Sequence, residues 1–276
     1  MSEKTYRVLI LGAEPYPVPS SFKKIEIKIP KKLVEIMKKL YSEIDTEFSV
    51  YIYGDVQPWP VIADKENEVS IIIKDYYFAR QRAHSAYVEM LENAPVKEGM
   101  RLLGTIHKHP AGLKSFSVID HEYTNSKFPL NLLFTKPSIY WSSWSEPKIV
   151  AATIWCIDPA EIATNILYLQ IAETTVIARL KDKKNIFVKA KLCEIEDANL
   201  DIVLYGEEPK KEDIEKEIEE ILKKIERVGY SVESENKEKD QEKKEEKKEK
   251  AKKNKIKVKI IKIKKEAKKE EGGDKR

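Results

Sequence analysis

The stretch HKHPAGLKSFSVID, residues 107–120, constrains the chain more than any other. It follows MRLLGTI, an apolar run that reads as a strand, so His107 and His109 sit two apart on extended backbone and face the same side of a sheet. Pro110 and Gly112 license a bend directly after them, and Asp120, eleven residues beyond His109, lies far enough along for the chain to return. Two imidazoles and a carboxylate brought together in this way are three ligands for one metal ion. A tetrahedral zinc held by three protein ligands keeps its fourth position open, as catalytic sites do. Only four histidines occur in the whole chain, and two of them are here. The alternative is purely structural: two ordinary strand-end histidines, with Asp120 capping a helix.

The flanking sequence supplies elements to carry such a site. YRVLILG is a strand stopped by glycine, and Pro15, Pro17 and Pro19 oppose regular pairing after it, so residues 1–22 read as a first strand and a linker. KKIEIKIP alternates, with Ile25, Ile27 and Ile29 on one face. Pro30 opens a helix running from about Lys31 to Ile44, striped by Leu33, Met37, Leu40 and Ile44. FSVYIYGDV is the next strand, and residues 56–79 hold two more strand candidates around an ENE turn. The spacing of Ala83, Tyr87, Met90 and Leu91 predicts a weak helix over residues 80–93, with His84 on it. Ser117 is placed to cap a helix beginning at Val118, since Ser-x-x-Asp follows the pattern of a capping box. LNLLFTKP and KIVAATIWCIDPAE are strands, separated by an aromatic loop containing Tyr140, Trp141 and Trp144. Residues 162–205 read as an antiparallel meander appended to the core. Residues 211–228 form the strongest helix, whose Ile214, Ile218, Ile221, Ile225 and Val228 fit either docking on the body or a short coiled coil.

At this point the chain resembles a known family. H-x-H-P, six residues, Ser, two residues and Asp is the signature of the JAMM (MPN-plus, JAB) metalloproteases, and His107, His109, Pro110, Ser117 and Asp120 fill every position of it. The resemblance covers about residues 25–160. It implies an α/β fold with a mixed sheet flanked by helices, similar to that of cytidine deaminases, over residues 23–160. A β-rich extension (161–206), an amphipathic helix (207–230) and a Lys/Glu-rich tail (231–276) would follow. It also implies that His107, His109 and Asp120 bind Zn2+ and that an upstream glutamate acts on the attacking water. Glu47 is the better match to that glutamate, because TEFSVYIYGDV is a glutamate, apolar strand and glycine directly after a helix; Glu43 is the runner-up. Ser117 would assist the oxyanion. The implied reaction is hydrolysis of a peptide or isopeptide bond that joins a ubiquitin-like modifier to a protein. Two positions depart from the commonest form: Lys108 stands where serine is usual, and Phe116 where a proline often precedes the serine. Both are expected to shape the substrate groove, Lys108 by favouring an acidic partner, and Trp59 is a further candidate for partner contact. A catalytically silent scaffold of the same fold and a zinc hydrolase of small-molecule amides are the alternatives. The cysteine ligands of the deaminases are absent.

Composition narrows the remaining classes. Charged residues make up 36%, mostly Lys and Glu, a balance associated with heat-adapted proteins. The net charge of +4 is divided: residues 237–276 hold 19 basic and 10 acidic side chains, which leaves the preceding body at −5. Affinity for an acidic partner therefore belongs to the tail, and the body gives no reason to expect nucleic-acid binding. The extension or the C-terminal helix would serve any homo-oligomer. Cys156 and Cys193 are isolated in sequence and suggest neither a disulfide framework nor a cysteine zinc site. With no signal-like N-terminus and no apolar run long enough to span a bilayer, a cytoplasmic protein is expected.

Overall fold

The computed structural model describes residues 7–138, 145–160 and 185–228. In chain order these form β1 (Arg7–Pro19), β2 (Lys24–Pro30), α1 (Lys31–Glu43), β3 (Phe48–Gln57), β4 (Glu68–Tyr77), β5 (Gln81–Ala83), β6 (Val88–Met90) and β7 (Arg101–Lys108). A short π-helical turn (Asp120–Asn125) precedes β8 (Leu130–Thr135) and β9 (Lys148–Cys156). The described chain then continues with β10 (Asn185–Glu196), β11 (Leu200–Tyr205), α2 (Lys211–Leu222) and β12 (Ile225–Arg227). The result is an α/β protein built on one large mixed sheet of nine strands, in the order β1-β10-β9-β8-β7-β3-β4-β2-β11. A small second sheet has the order β12-β5-β6. Tyr140, Trp141 and Trp144, residues 161–184 and the tail from residue 229 lie outside the described residues.

Alternation decides which face of the central strands does what. Val50 and Ile52 on β3 and Ile106 on β7 join the main apolar core, together with Leu33, Ile36, Met37 and Leu40 of α1. Ile214, Ile218 and Ile221 of α2 belong to the same core. Their neighbours Tyr51 and Tyr53 form a separate cluster with Ala79, against which Met90 and Phe128 pack. One face of β3 and β7 is thus covered by helices. The other carries the small sheet and, at the C-terminal end of β7, the histidines. The β3–β7 register is antiparallel, with Phe48 opposite Lys108 and Ser49 opposite His107. The start of β3 therefore lies beside the end of β7. Gly104 lets β7 approach β8, because a Cβ there would collide with the Leu130 carbonyl.

Several expectations need correction. Residues 80–93 are not helical: β5 and β6 form a hairpin, pinned to β3 by the buried Gln81, whose side chain accepts from Ser49 N–H (2.8 Å) and donates to Ser49 C=O (2.9 Å). The amide thus imitates a strand backbone, which the apolar spacing concealed. Of the two strands expected over residues 56–79 only β4 forms in full, and Ile62 contributes a single bridge to Ile157. The proline-rich segment pairs as part of β1, an edge strand parallel to β10, with register shifts on either side of Ala13. An edge position tolerates proline because only one side of the strand needs its N–H groups.

The segment expected as an appended meander is also placed differently. β10 lies inside the edge strand β1, between it and β9, while β11 pairs with β2 and forms the opposite edge, so the two described strands lie far apart in the large sheet. Cys156 and Cys193, 37 residues apart, meet on neighbouring strands β9 and β10 as a disulfide. The expectation of isolated cysteines fails because strand pairing, not sequence distance, sets their separation. The last helix ends at Leu222 rather than Val228, and β12 then pairs with β5. Its apolar stripe is covered by its own chain, and Glu217 ties α2 to Lys32 of α1 (2.6 Å) and to the Tyr76 hydroxyl (2.8 Å). That geometry is docking, not a free coiled-coil seam. Among the described residues no helix is long and apolar enough to cross a membrane.

Candidate metal centre

The centre assembles at the junction of three segments, each held by backbone geometry. His107 and His109 lie at the end of β7, and the His109 N–H donates to the Phe134 carbonyl of β8 (3.0 Å). Gly112 makes the turn that follows, with a φ of 86° that favours glycine, and its N–H donates to the Lys136 carbonyl (2.9 Å). The Thr135 hydroxyl donates to the Pro110 carbonyl (2.7 Å), closing the bend. The chain then returns through Phe116, buried against Leu133, Val150 and Ala151, to Ser117 and Asp120. The π-helical turn beyond is anchored by the indole N–H of Trp155 donating to the Asn125 carbonyl (2.9 Å). Glu47 enters from the loop between α1 and β3, where its N–H donates to the His84 carbonyl in the β5–β6 hairpin (3.0 Å).

Four side chains converge. His107 Nε2 lies 3.0 Å from Glu47 Oε2 and 3.6 Å from Asp120 Oδ1. His109 Nε2 lies 3.2 Å from Asp120 Oδ2 and 4.0 Å from Glu47 Oε1. Each imidazole therefore meets both carboxylates. Glu47, His107 and His109 are 4–5% exposed and Asp120 is 8% exposed. Glu47, His107 and His109 can each offer one ligand atom such that all three lie within 4.8 Å of one another. Asp120 belongs with them because it touches both rings. Glu43, at the end of α1, is exposed and ranks well behind Glu47 as a member of the site.

The chemistry of these donors fits a divalent cation. Two carboxylates removed from water need compensating charge, and two neutral imidazoles supply none. A cation with two positive charges placed among the four groups would supply that charge. Buried nitrogen and oxygen donors suit zinc among other transition metals. Burial opposes ionisation of Asp120, but the His109 hydrogen bond, the nearby charge of His107 and two hydrogen bonds from Ser117 outweigh it. Its carboxyl is held well below the usual carboxylate range.

Ser117 forms the capping box that its spacing predicts. Its N–H and hydroxyl both donate to Asp120 Oδ2, at 2.7 and 2.8 Å, and its oxygen accepts from the Asp120 N–H at 3.2 Å. The hydroxyl expected to face an oxyanion is thus engaged with Asp120, which it orients. Lys108 departs further from expectation. It is buried and turned away from the histidine face rather than lining a groove, as the period of two requires once both histidines face the other way. Trp59 packs partly against the core with the Arg101 guanidinium 3.8 Å from its ring centroid. His84 contributes its backbone carbonyl to Glu47 and stacks its ring on Tyr87, a role that no sequence motif announces.

A cavity of about 520 Å3 opens beside His107 and Asp120. Tyr51, Tyr87, Met90, Thr105 and Phe128 are among the residues that line it. The centre therefore borders open space. A scan against protein-family models finds no match to this chain, and no curated protein is significantly similar to it.

Proposed function

We propose that this chain is a zinc-dependent hydrolase of the JAMM type, cleaving peptide or isopeptide bonds that attach a ubiquitin-like modifier to other proteins. One observation carries the reading: His107 and His109 each meet both Glu47 and Asp120 in a buried cluster beside a cavity. The HxHP-x6-S-x2-D signature supports it from the sequence side.

In this reading His107, His109 and Asp120 hold Zn2+. Zinc held there would supply Lewis acidity, lowering the pKa of a bound water toward neutrality and polarising the scissile carbonyl. Glu47 accepts the proton of the attacking water on a carboxylate oxygen and returns it to the leaving nitrogen. Burial serves this step by keeping bulk water from solvating the carboxylate. Ser117 holds Asp120 at a fixed orientation through the capping box, as outer partners of metal ligands do.

The test is cleavage of a ubiquitin-like protein fused through its C-terminal glycine to a reporter. Activity is expected to disappear with a chelator, return with zinc, and fall by about 100-fold or more in Glu47→Gln while fusion binding persists. Activity that survives complete metal removal contradicts the proposal. Metal and fusion binding without cleavage by the wild type favours the silent scaffold.

A further inference from the structure

Lys108 lies between the two histidines, yet its side chain runs to the helix-covered face and is 2% exposed. There its ammonium donates to three backbone carbonyls: Ile44 at 2.9 Å, Asp45 at 3.1 Å and Thr46 at 2.7 Å. It also lies 4.8 Å from the centroid of the Tyr41 ring. An ammonium has three N–H donors and no acceptor, so three carbonyls satisfy it completely. Burial draws its pKa down to about 8, with Asp45 and Glu47 opposing that shift.

The location of those carbonyls matters. Ile44 caps the C-terminus of α1, where backbone carbonyls lack partners within the helix, and Asp45 and Thr46 complete the connection to Glu47. A cationic side chain at a helix C-terminus is favoured by both hydrogen bonding and the helix dipole. The chain has only residues 44–47 in which to pass from α1 into β3. Lys108 holds three of these four by their carbonyls, and the His84 carbonyl holds the fourth, Glu47, by its N–H. Because Lys108 also belongs to the strand that ends in the histidines, it joins the Glu47 loop to the metal-ligand strand directly.

We propose that Lys108 is a positioning residue: by gathering the carbonyls of residues 44–46 it fixes the Glu47 carboxylate against His107 and His109. The catalytic consequence rests on the reading of Glu47 as proton acceptor. Lys108 touches no substrate and acts through Glu47 alone. A side chain of similar length without donors fills the space but releases the loop.

The test compares wild-type full-length chain with Lys108→Met, both loaded with zinc, in two measurements. The first is amide hydrogen exchange, which needs no activity. The Glu47 and Phe48 amides are expected to exchange at least about tenfold faster in the variant, while those of Ile71 and Leu132 keep their protection. The second is hydrolysis of the ubiquitin-like fusion, where kcat is expected to fall by at least about tenfold with KM within about twofold and zinc content unchanged. Unchanged exchange at Glu47 overturns the proposal, as does unchanged kcat in an active enzyme. Protection lost evenly across the sheet overturns it too, since Lys108 would then support the whole fold rather than this loop. If the variant shows the local exchange response but the zinc-loaded wild type cleaves nothing, the hydrolase reading is refuted while the clamp stands.

Discussion

Removing one hydroxyl separates two roles for Ser117. In the structure that hydroxyl donates to Asp120 Oδ2 at 2.8 Å and accepts from the Asp120 N–H at 3.2 Å. Ser117→Ala deletes both bonds and keeps the Ser117 N–H contact at 2.7 Å. Loss of a serine N-cap typically costs about 1 kcal/mol, with a range of about 0.5–2. Because the acceptor here is a buried carboxylate, the upper half of that range applies, about 1–2 kcal/mol. For a folded unit of this size that lowers Tm by roughly 2–8 °C. Asp120 also loses its orienting partner, so zinc affinity should drop by about 10-fold or more. The assays are thermal unfolding of the metal-free protein and zinc competition with a chromophoric chelator. Excess zinc should then restore most of the cleavage rate. An unchanged Tm and zinc affinity, with kcat reduced by about 100-fold at saturating zinc, would refute this reasoning and assign the hydroxyl to the oxyanion.

Two further substitutions test the framework. Gly104→Ala places a methyl against the Leu130 carbonyl and Phe128 between β7 and β8, and should lower unfolding free energy by at least about 1–3 kcal/mol in denaturant titration; wild-type stability would contradict that close approach. Tyr53 is 1% exposed, and its hydroxyl donates to the Pro95 carbonyl at 2.7 Å. Burial, then Asp75, pushes its pKa up to about 12. A tyrosine raised in the folded state contributes stability that is complete below the unfolded pKa of about 10 and lost as pH rises toward 12. Tyr53→Phe should therefore be less stable by about 1 kcal/mol at pH 8, with the gap closing above pH 10 and reversing as pH nears 12. A gap independent of pH would argue against the shift.

How far the sequence discloses this molecule depends on the range of each signal. Alternation in KIEIKIP and the stripe of Leu33, Met37 and Leu40 place β2 and α1 because those patterns are local and each element buries one face. The same local logic sets both histidines on one side of β7 and Lys108 on the other. The partners of Lys108 were not legible, because they depend on where α1 ends relative to β7. The β5–β6 hairpin was hidden because Gln81, a polar residue, does the work of pairing with β3. The placing of β10 beside β1 and of β11 at the far edge of the same sheet, and the meeting of Cys156 with Cys193, arise from pairings remote in sequence. At the site, the spacing from His107 to Asp120 disclosed three members, while Glu47, 60 residues upstream of His107, was found by resemblance and lies 3.0 Å from it in the structure.

In the proposed centre His107, His109 and Asp120 hold the metal while Glu47 serves the reaction. Zinc per chain, measured by elemental analysis on purified wild type, Asp120→Ala and Glu47→Gln, addresses it most directly. About one zinc is expected in the wild type, with loss from the Asp120 variant and retention in the Glu47 variant. Stoichiometric zinc retained without Asp120, above all if it is lost without Glu47, would exclude Asp120 as a required ligand and make Glu47 the third ligand.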